Sequence, residues 1–255
     1  MTDTQTHGRG QGDHSWESDS GKNLTFSMLL YPTSVKASGQ FILSKAISLA
    51  VYDFISQYVP DISVKWPNDV YVGDKKITGM LIESFIGGDC LTKTIAGIGV
   101  NINQEHFMSD APNPVSLFQL TGQTYQLDNC LDNLCACISG RYRMMTDHPE
   151  QLNSEYLQHL YRFGKPGRFS ADGVFFDATI TGINQYGMLE MTTTSGECKV
   201  FGFGNFPTSC MKSHPVDNPK KNGHTVELTW IFISGIMNIV GKMEAGVVGE
   251  QLAEG

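Results

Sequence analysis

Ile62-Ser-Val-Lys65-Trp66-Pro67-Asn68-Asp69-Val-Tyr-Val72, then Asp74-Lys75-Lys76-Ile77-Thr78-Gly79-Met80-Leu81-Ile82-Glu83, then Gly97-Ile98-Gly99-Val100-Asn101-Ile102-Asn103: these three runs decide the fold. β-branched residues flank Trp66 to Asp69, so the first run reads as two strand segments broken by a rigid turn. Ile77 to Ile86 and Thr92 to Ile102 read as two more strands, parted by Gly87-Gly88-Asp89. One long helix precedes them. Over residues 38–58, Leu43, Ala46, Ile47, Ala50, Val51, Phe54 and Ile55 recur at helical spacing, with Ser38 as N-cap candidate and Pro60 past the end. Leu24 to Tyr31 reads as a buried strand closed by Pro32. Several consecutive strands behind one helix predict an α+β fold, a mixed β-sheet backed by helices.

Outward from this centre, residues 130–145 and 149–162 read as two further helices, from Leu131, Leu134, Cys135, Ile138 and Tyr142, then Leu152, Tyr156, Leu157 and Leu160. The texture changes at Phe163-Gly-Lys-Pro-Gly167. Short β-rich runs follow (Val174 to Ile183, Met188 to Thr193, Glu197 to Phe203), with turns at Asn184-Gln-Tyr-Gly187 and Thr194-Ser-Gly196. The expected division is a first domain over 1–162, a small β-barrel over 163–206, and an atypical tail over 207–255. Residues 1–23 are polar and Gly-rich and read as a loop.

Composition narrows the function classes. The chain has 255 residues, 40% apolar and 17% charged, ordinary for a globular protein. Its formal net charge of −8 argues against nucleic-acid binding. The six cysteines show no zinc-ligand spacing and read as reduced thiols of a cytoplasmic protein. Trp230 to Val240 is the most apolar run near the C-terminus, and it is shorter than the ~20 residues a membrane span takes.

Four short motifs can carry chemistry. Gln5-Thr-His-Gly8-Arg9-Gly10-Gln11-Gly12 sets glycines around an arginine; free N–H groups can form an anion nest and Arg9 can fork onto a carboxylate or phosphate. It is neither a Walker A loop nor GxGxxG, and alone it fits a flexible tail equally well. Asn68 and Asp69 project an amide and a carboxylate from the Trp-Pro turn, and Asp69 suits a hard cation such as Mg²⁺. Lys76 enters a strand whose Gly79 allows close approach, and it can place a charge on an anion. Gly97 and Asn101 lie in a Gly/Asn-rich strand end. Trp16 offers an aromatic face for a base.

Taken in order, Gln-Thr-x-Gly-Arg-Gly, Trp16-x-Ser18, Gly21-Lys-Asn-Leu-x-x-Ser27, Trp-Pro-Asn-Asp, Lys-Lys-Ile-x-Gly-x-Leu-x-Glu and Gly-Ile-Gly-x-Asn-x-Asn resemble the biotin–protein ligase family over residues 4–162. The β-rich stretch resembles that family's C-terminal SH3-like domain. The resemblance implies a fold related to class II aminoacyl-tRNA synthetases and lipoate ligases. It implies biotin and ATP as substrates with Mg²⁺, biotinyl-5′-AMP as intermediate, and a lysine of a biotin carboxyl carrier protein as acceptor. It implies that Gln5, Arg9, Gly10 and Gln11 form the biotin-binding loop, and that Lys76 meets the biotin carboxylate and the α-phosphate. By the same resemblance, Gly79, Leu81 and Gly97 line the biotin pocket, and Trp16, Asn68, Asp69 and Asn101 serve the nucleotide or its metal. Arg9 and Lys76 are the implied catalytic pair.

The sequence also departs from that pattern. The family carries a strand and helix with a Ser-Thr-Asn biotin contact ahead of the loop, whereas here the loop begins at Gln5. Asp13 interrupts the loop's close. Two alternatives therefore stand beside an active ligase: a truncated, inactive binder of biotin or adenylate, and a lipoate ligase-like acyltransferase. No DNA-binding segment precedes the core, which argues against a repressor, and a homodimer is an open expectation.

Overall fold

The computed structural model describes residues 5, 8–9, 15–108, 113–171, 173–203 and 208–209. A two-residue hairpin, β1 (Gly8–Arg9) and β2 (Ser15–Trp16), leads into β3 (Leu24–Leu30). Helix α1 (Phe41–Ser56) follows, then β4 (Ile62–Lys65), β5 (Asp69–Val72), β6 (Lys75–Gly87) and β7 (Cys90–Val100). Helices α2 (Leu117–Thr121), α3 (Leu127–Asp147) and α4 (Pro149–Gln158) come next. Strands β8 (Pro166–Ala171), β9 (Val174–Ile183), β10 (Leu189–Thr193), β11 (Cys198–Phe201) and β12 (Thr208–Ser209) complete the described chain.

The first sheet has the order β3-β7-β6-β5-β4, and its ladders are antiparallel. The parallel component is confined to isolated bridges, Val64 to Leu160 and Lys76 to Pro114. The β4 edge is covered: Val64 N–H donates to His159 O at 2.8 Å, and Tyr161 N–H donates back to Val64 O at 2.8 Å. Strand β3 forms the other edge. Its alternation leaves Ser27 and Leu29 exposed, so it is buried on one face only.

Helix α1 is apolar nearly all round because it serves two cores. Ile47, Ala50, Val51, Phe54 and Ile55 pack with Leu24, Ile77, Ile98 and Val100 of the sheet and with Leu134 and Ile138 of α3. Phe41, Leu43, Ala46 and Leu49 join Tyr156, Leu160, Phe169, Leu189 and Met191 in the second. Each such buried aliphatic side chain stabilises the fold by about 1.5–3 kcal/mol. The helix starts later than its sequence suggests. Ala37–Gly39 form a 3-10 turn and Gln40 is the N-cap without a side-chain bond, so Ser38 does not cap it.

The second sheet runs β11-β10-β9-β8-β12. Strand β8 lies where the sequence shows only a Gly/Pro break, and Thr208 and Ser209 pair with Ser170 and Phe169 beyond the expected end of the β-rich unit. The remainder of the 207–255 tail lies outside the described residues. Trp66 ties this sheet to the first: its indole Nε1 donates to Gly187 O at 2.8 Å, and Phe203 stacks on its ring at 5.2 Å.

Candidate active site

Directly paired residues of antiparallel strands present their side chains on one face. Thr25, Gly99 and Gly79 form one row across β3, β7 and β6, and Ser27, Gly97 and Leu81 form the next. The opposite face of these strands carries Val100, Ile98, Ala96 and Met80 into the core. The exposed face therefore has a floor made largely of backbone.

Trp16 lies on that floor. A Cβ added at Gly99 would stand 2.5 Å from Trp16 Cε2, and one at Gly79 would stand 2.8 Å from Cζ3. Only glycine admits the ring this close. Gly97 is different: the nearest atoms to a Cβ there are Leu81 O at 3.6 Å and Ser27 Oγ at 3.8 Å. The row beside the indole is thus open floor. Trp16 Nε1 is buried with no hydrogen-bond partner among the described residues, as is Gln5 Oε1 beside Gly8. Orphaned polar groups of this kind are costly unless something pairs with them.

Charge is concentrated at one end of the floor. Lys76 Nζ lies 2.8 Å from Asp69 Oδ1 and 5.9 Å from the Trp16 ring centroid. Lys65, across the ladder from Asp69, donates to the Tyr71 hydroxyl at 2.9 Å. Burial lowers the Lys65 pKa, with Asp69 opposing and Lys76 adding to that shift. Burial, and then the nearby Asp69 carboxylate, push the Tyr71 hydroxyl well above its usual range.

The segment bearing Trp16 is anchored by a polar network. Gln104 Oε1 accepts from Asn23 Nδ2 at 2.5 Å and from Asp19 N–H at 3.0 Å, while Gln104 Nε2 donates to Glu17 Oε1 at 3.3 Å. Glu17 also accepts from Met108 N–H at 2.8 Å. These bonds link residues 17–23 to the loop after β7 and fix where the indole lies.

The structure brings Lys76, Asp69, Gly79, Leu81, Gly97 and Trp16 to one face. Arg9 is in β1, paired with Ser15, and its side chain is outside the described residues, as are Gly10 and Gln11 entirely. Asn68 and Asn101 serve the main chain. Asn68 Nδ2 bonds Met80 O and ties the β4–β5 turn to β6, and Asn101 Nδ2 donates to Val115 O at 3.1 Å. Asn101 Oδ1 is buried without a partner among the described residues. Asp69 is engaged by Lys76, and among the described residues no trio of His, Cys, Asp or Glu could hold a metal. The described residues therefore present no preformed Mg²⁺ cage here. Gly99, Lys65 and Gln104 are the residues motif reading misses. Register, which pairs Gly99 with Gly79 and Lys65 with Asp69, is what reveals two of them.

Residues 1–101 match the model of the biotin/lipoate A/B protein ligase family. The bifunctional ligase/repressor BirA of Bacillus subtilis is 29% identical over 214 residues, covering 79% of this chain and 63% of that protein. The chain thus spans under two thirds of that relative's length. The biotin–[acetyl-CoA-carboxylase] ligase of Paracoccus denitrificans is 28% identical over 207 residues, covering 75% of this chain and 82% of that protein. The biotin protein ligase of Aquifex aeolicus, solved with biotin and ATP, superimposes with a TM-score of 0.65 at 26% identity, covering 78% of this chain and 83% of that one. With a glycine floor, a lysine at its end and an indole upon it, the chain is similar in sequence and in fold to these biotin–protein ligases, and residues 1–101 match the biotin/lipoate A/B protein ligase model.

Proposed function

We propose that this chain activates biotin with Mg·ATP to biotinyl-5′-AMP and transfers the biotinyl group to a lysine of a biotin carboxyl carrier protein. The observation that carries this reading is the placement of Lys76 at the end of the open glycine floor, 5.9 Å from the Trp16 ring. In this reading the biotin ring system lies over Gly97 and Leu81, where the floor is open, with its carboxylate toward the Lys76 ammonium. The carboxylate oxygen attacks the α-phosphorus, and the bond to pyrophosphate breaks. Two anions must meet, so Lys76, with Arg9 as the resemblance implies, offsets their repulsion and the charge that develops in flight. Mg²⁺ arrives with the nucleotide's phosphates as part of the substrate, in keeping with its preference for few protein ligands. The acceptor amine then attacks the mixed anhydride at the acyl carbon, and AMP leaves with the bonding pair. Holding both reactants on one rigid sheet supplies much of the rate.

In this reading residues 1–162 are the catalytic unit and 163–206 an SH3-like companion, working in the cytoplasm as a monomer or a homodimer. The matching family model spans lipoate as well as biotin ligases, which supports a second reading as a lipoate ligase-like acyltransferase. Incubation of the purified chain with biotin, lipoate and Mg·ATP, followed by mass spectrometry, separates them. Biotinyl-5′-AMP is expected, and Lys76→Ala removes it. Lipoyl-AMP alone supports the second reading, and no adenylate at all refutes both.

A further inference from the structure

Asp69 stands between two lysines on neighbouring strands. Lys76 holds its Oδ1 at 2.8 Å. Lys65 is its direct cross-strand partner in the β4–β5 ladder, which puts the two Cβ atoms about 4.5–5.5 Å apart on the same face. With the carboxylate held by Lys76, the Lys65 ammonium rests on the Tyr71 hydroxyl at 2.9 Å, 4.7 Å from that ring's centroid. The cluster holds two cations and one anion in a partly buried corner.

A ligand anion that reaches Lys76 competes with Asp69 for it. Were Lys76 the only cation nearby, each binding event would strand a partly buried carboxylate, which is expensive. We propose that Lys65 is a positioning residue: it takes over the Asp69 carboxylate when an anionic ligand draws Lys76 away. The Lys65 stem is flexible and its present partner is a neutral hydroxyl, so the exchange trades a weak contact for a charge-assisted one. Net charge in the corner is unchanged by the swap. The inference rests on the proposed reading that a carboxylate or phosphate meets Lys76. Burial lowers the Lys65 pKa while Asp69 raises it, as expected of an ammonium close to a carboxylate it does not yet hold.

The test uses the full chain and four variants: Lys65→Met, Lys65→Arg, Asp69→Asn, and Lys65→Met combined with Asp69→Asn. Calorimetry reads the dissociation constants of biotin and of biotinol, which has a hydroxyl in place of the carboxylate. Lys65→Met is expected to weaken biotin about tenfold while leaving biotinol within about twofold. Lys65→Arg keeps biotin affinity, because a cation remains. Adding Asp69→Asn to Lys65→Met restores biotin binding, because no carboxylate is left to strand. A purely structural lysine gives no such suppression. Unchanged biotin affinity in Lys65→Met, or losses that multiply in the double variant, overturn the role of Lys65 alone. Failure of the unmodified chain to bind either ligand overturns the functional reading beneath it.

Discussion

Gly99→Ala is the sharpest perturbation of the floor. Its Cβ would come 2.5 Å from Trp16 Cε2, about 0.9 Å inside the 3.4 Å at which ordinary contact begins. The backbone of β7 at Gly99 is ordinary strand, so alanine itself fits the chain and recovers about 0.5–1 kcal/mol of the entropy a strand glycine loses. Relieving the clash means lifting the indole off both glycines. Overpacking of this size costs about 1–3 kcal/mol. The core on the opposite face, built on Val100 and Ile98, is untouched. The melting temperature should therefore fall by no more than about 10 °C. Affinity for ligands that need the indole should fall about 5- to 150-fold, the same 1–3 kcal/mol read as binding. Calorimetric titration of ATP and of biotin, beside thermal unfolding of the same samples, measures both quantities. Unchanged affinity with unchanged stability would refute the placement of Trp16 on the floor. A collapse of stability would show that the indole is core rather than site.

Gly97→Ala makes the complementary case: its Cβ has room, with Leu81 O at 3.6 Å, so stability should hold or rise slightly while biotin binding weakens; equal binding would remove the open floor from the site. Arg141 Nε and Nη2 hold Asp53 at 2.6 and 2.8 Å, and Nη1 also bonds Glu155. Arg141→Met should cost about 2–4 kcal/mol in urea unfolding, since two partly buried carboxylates lose their cation; a loss under about 0.5 kcal/mol would refute that network's role. Hydrogen bonding from Arg141 lowers the Glu155 pKa, so the folded state favours the ionised carboxylate: its stabilisation is complete above the unfolded value near 4.5 and is lost as pH falls through the folded one. Burial, then Arg141, lowers the pKa of His159, which stacks on Tyr52 at 4.0 Å, so stability should already decline as pH drops below 6.5. Thermal melts across pH 2–8 should show both limbs, and His159→Phe should erase the upper one only.

The motifs were legible because they are local. The hairpin broken at Trp66 to Asp69 and the helix repeating from Leu43 to Ile55 were written in spacing alone. What was hidden depends on distance along the chain. Gly99 meets Gly79 through a register twenty residues long, which no window of sequence contains. Glu17, which has no obvious partner in the sequence, finds Gln104 and Met108 N–H only when the chain turns back. Strand β8 was missed because Pro166 and Gly167 look like punctuation, yet Pro166 is the first residue of its strand, where a proline needs no ladder donor.

The indole bond from Trp66 to Gly187 has a further consequence. The residue three before Asp69 is also the clasp that fastens the second sheet. A tug on the β9–β10 turn is delivered, through one rigid turn, to the rim where charge is handled. Grafting a foreign barrel onto this chain would thus retune the ligand site unless the graft supplied a carbonyl where Gly187 now offers one. The two sheets are separate in architecture and yet share a hinge pin.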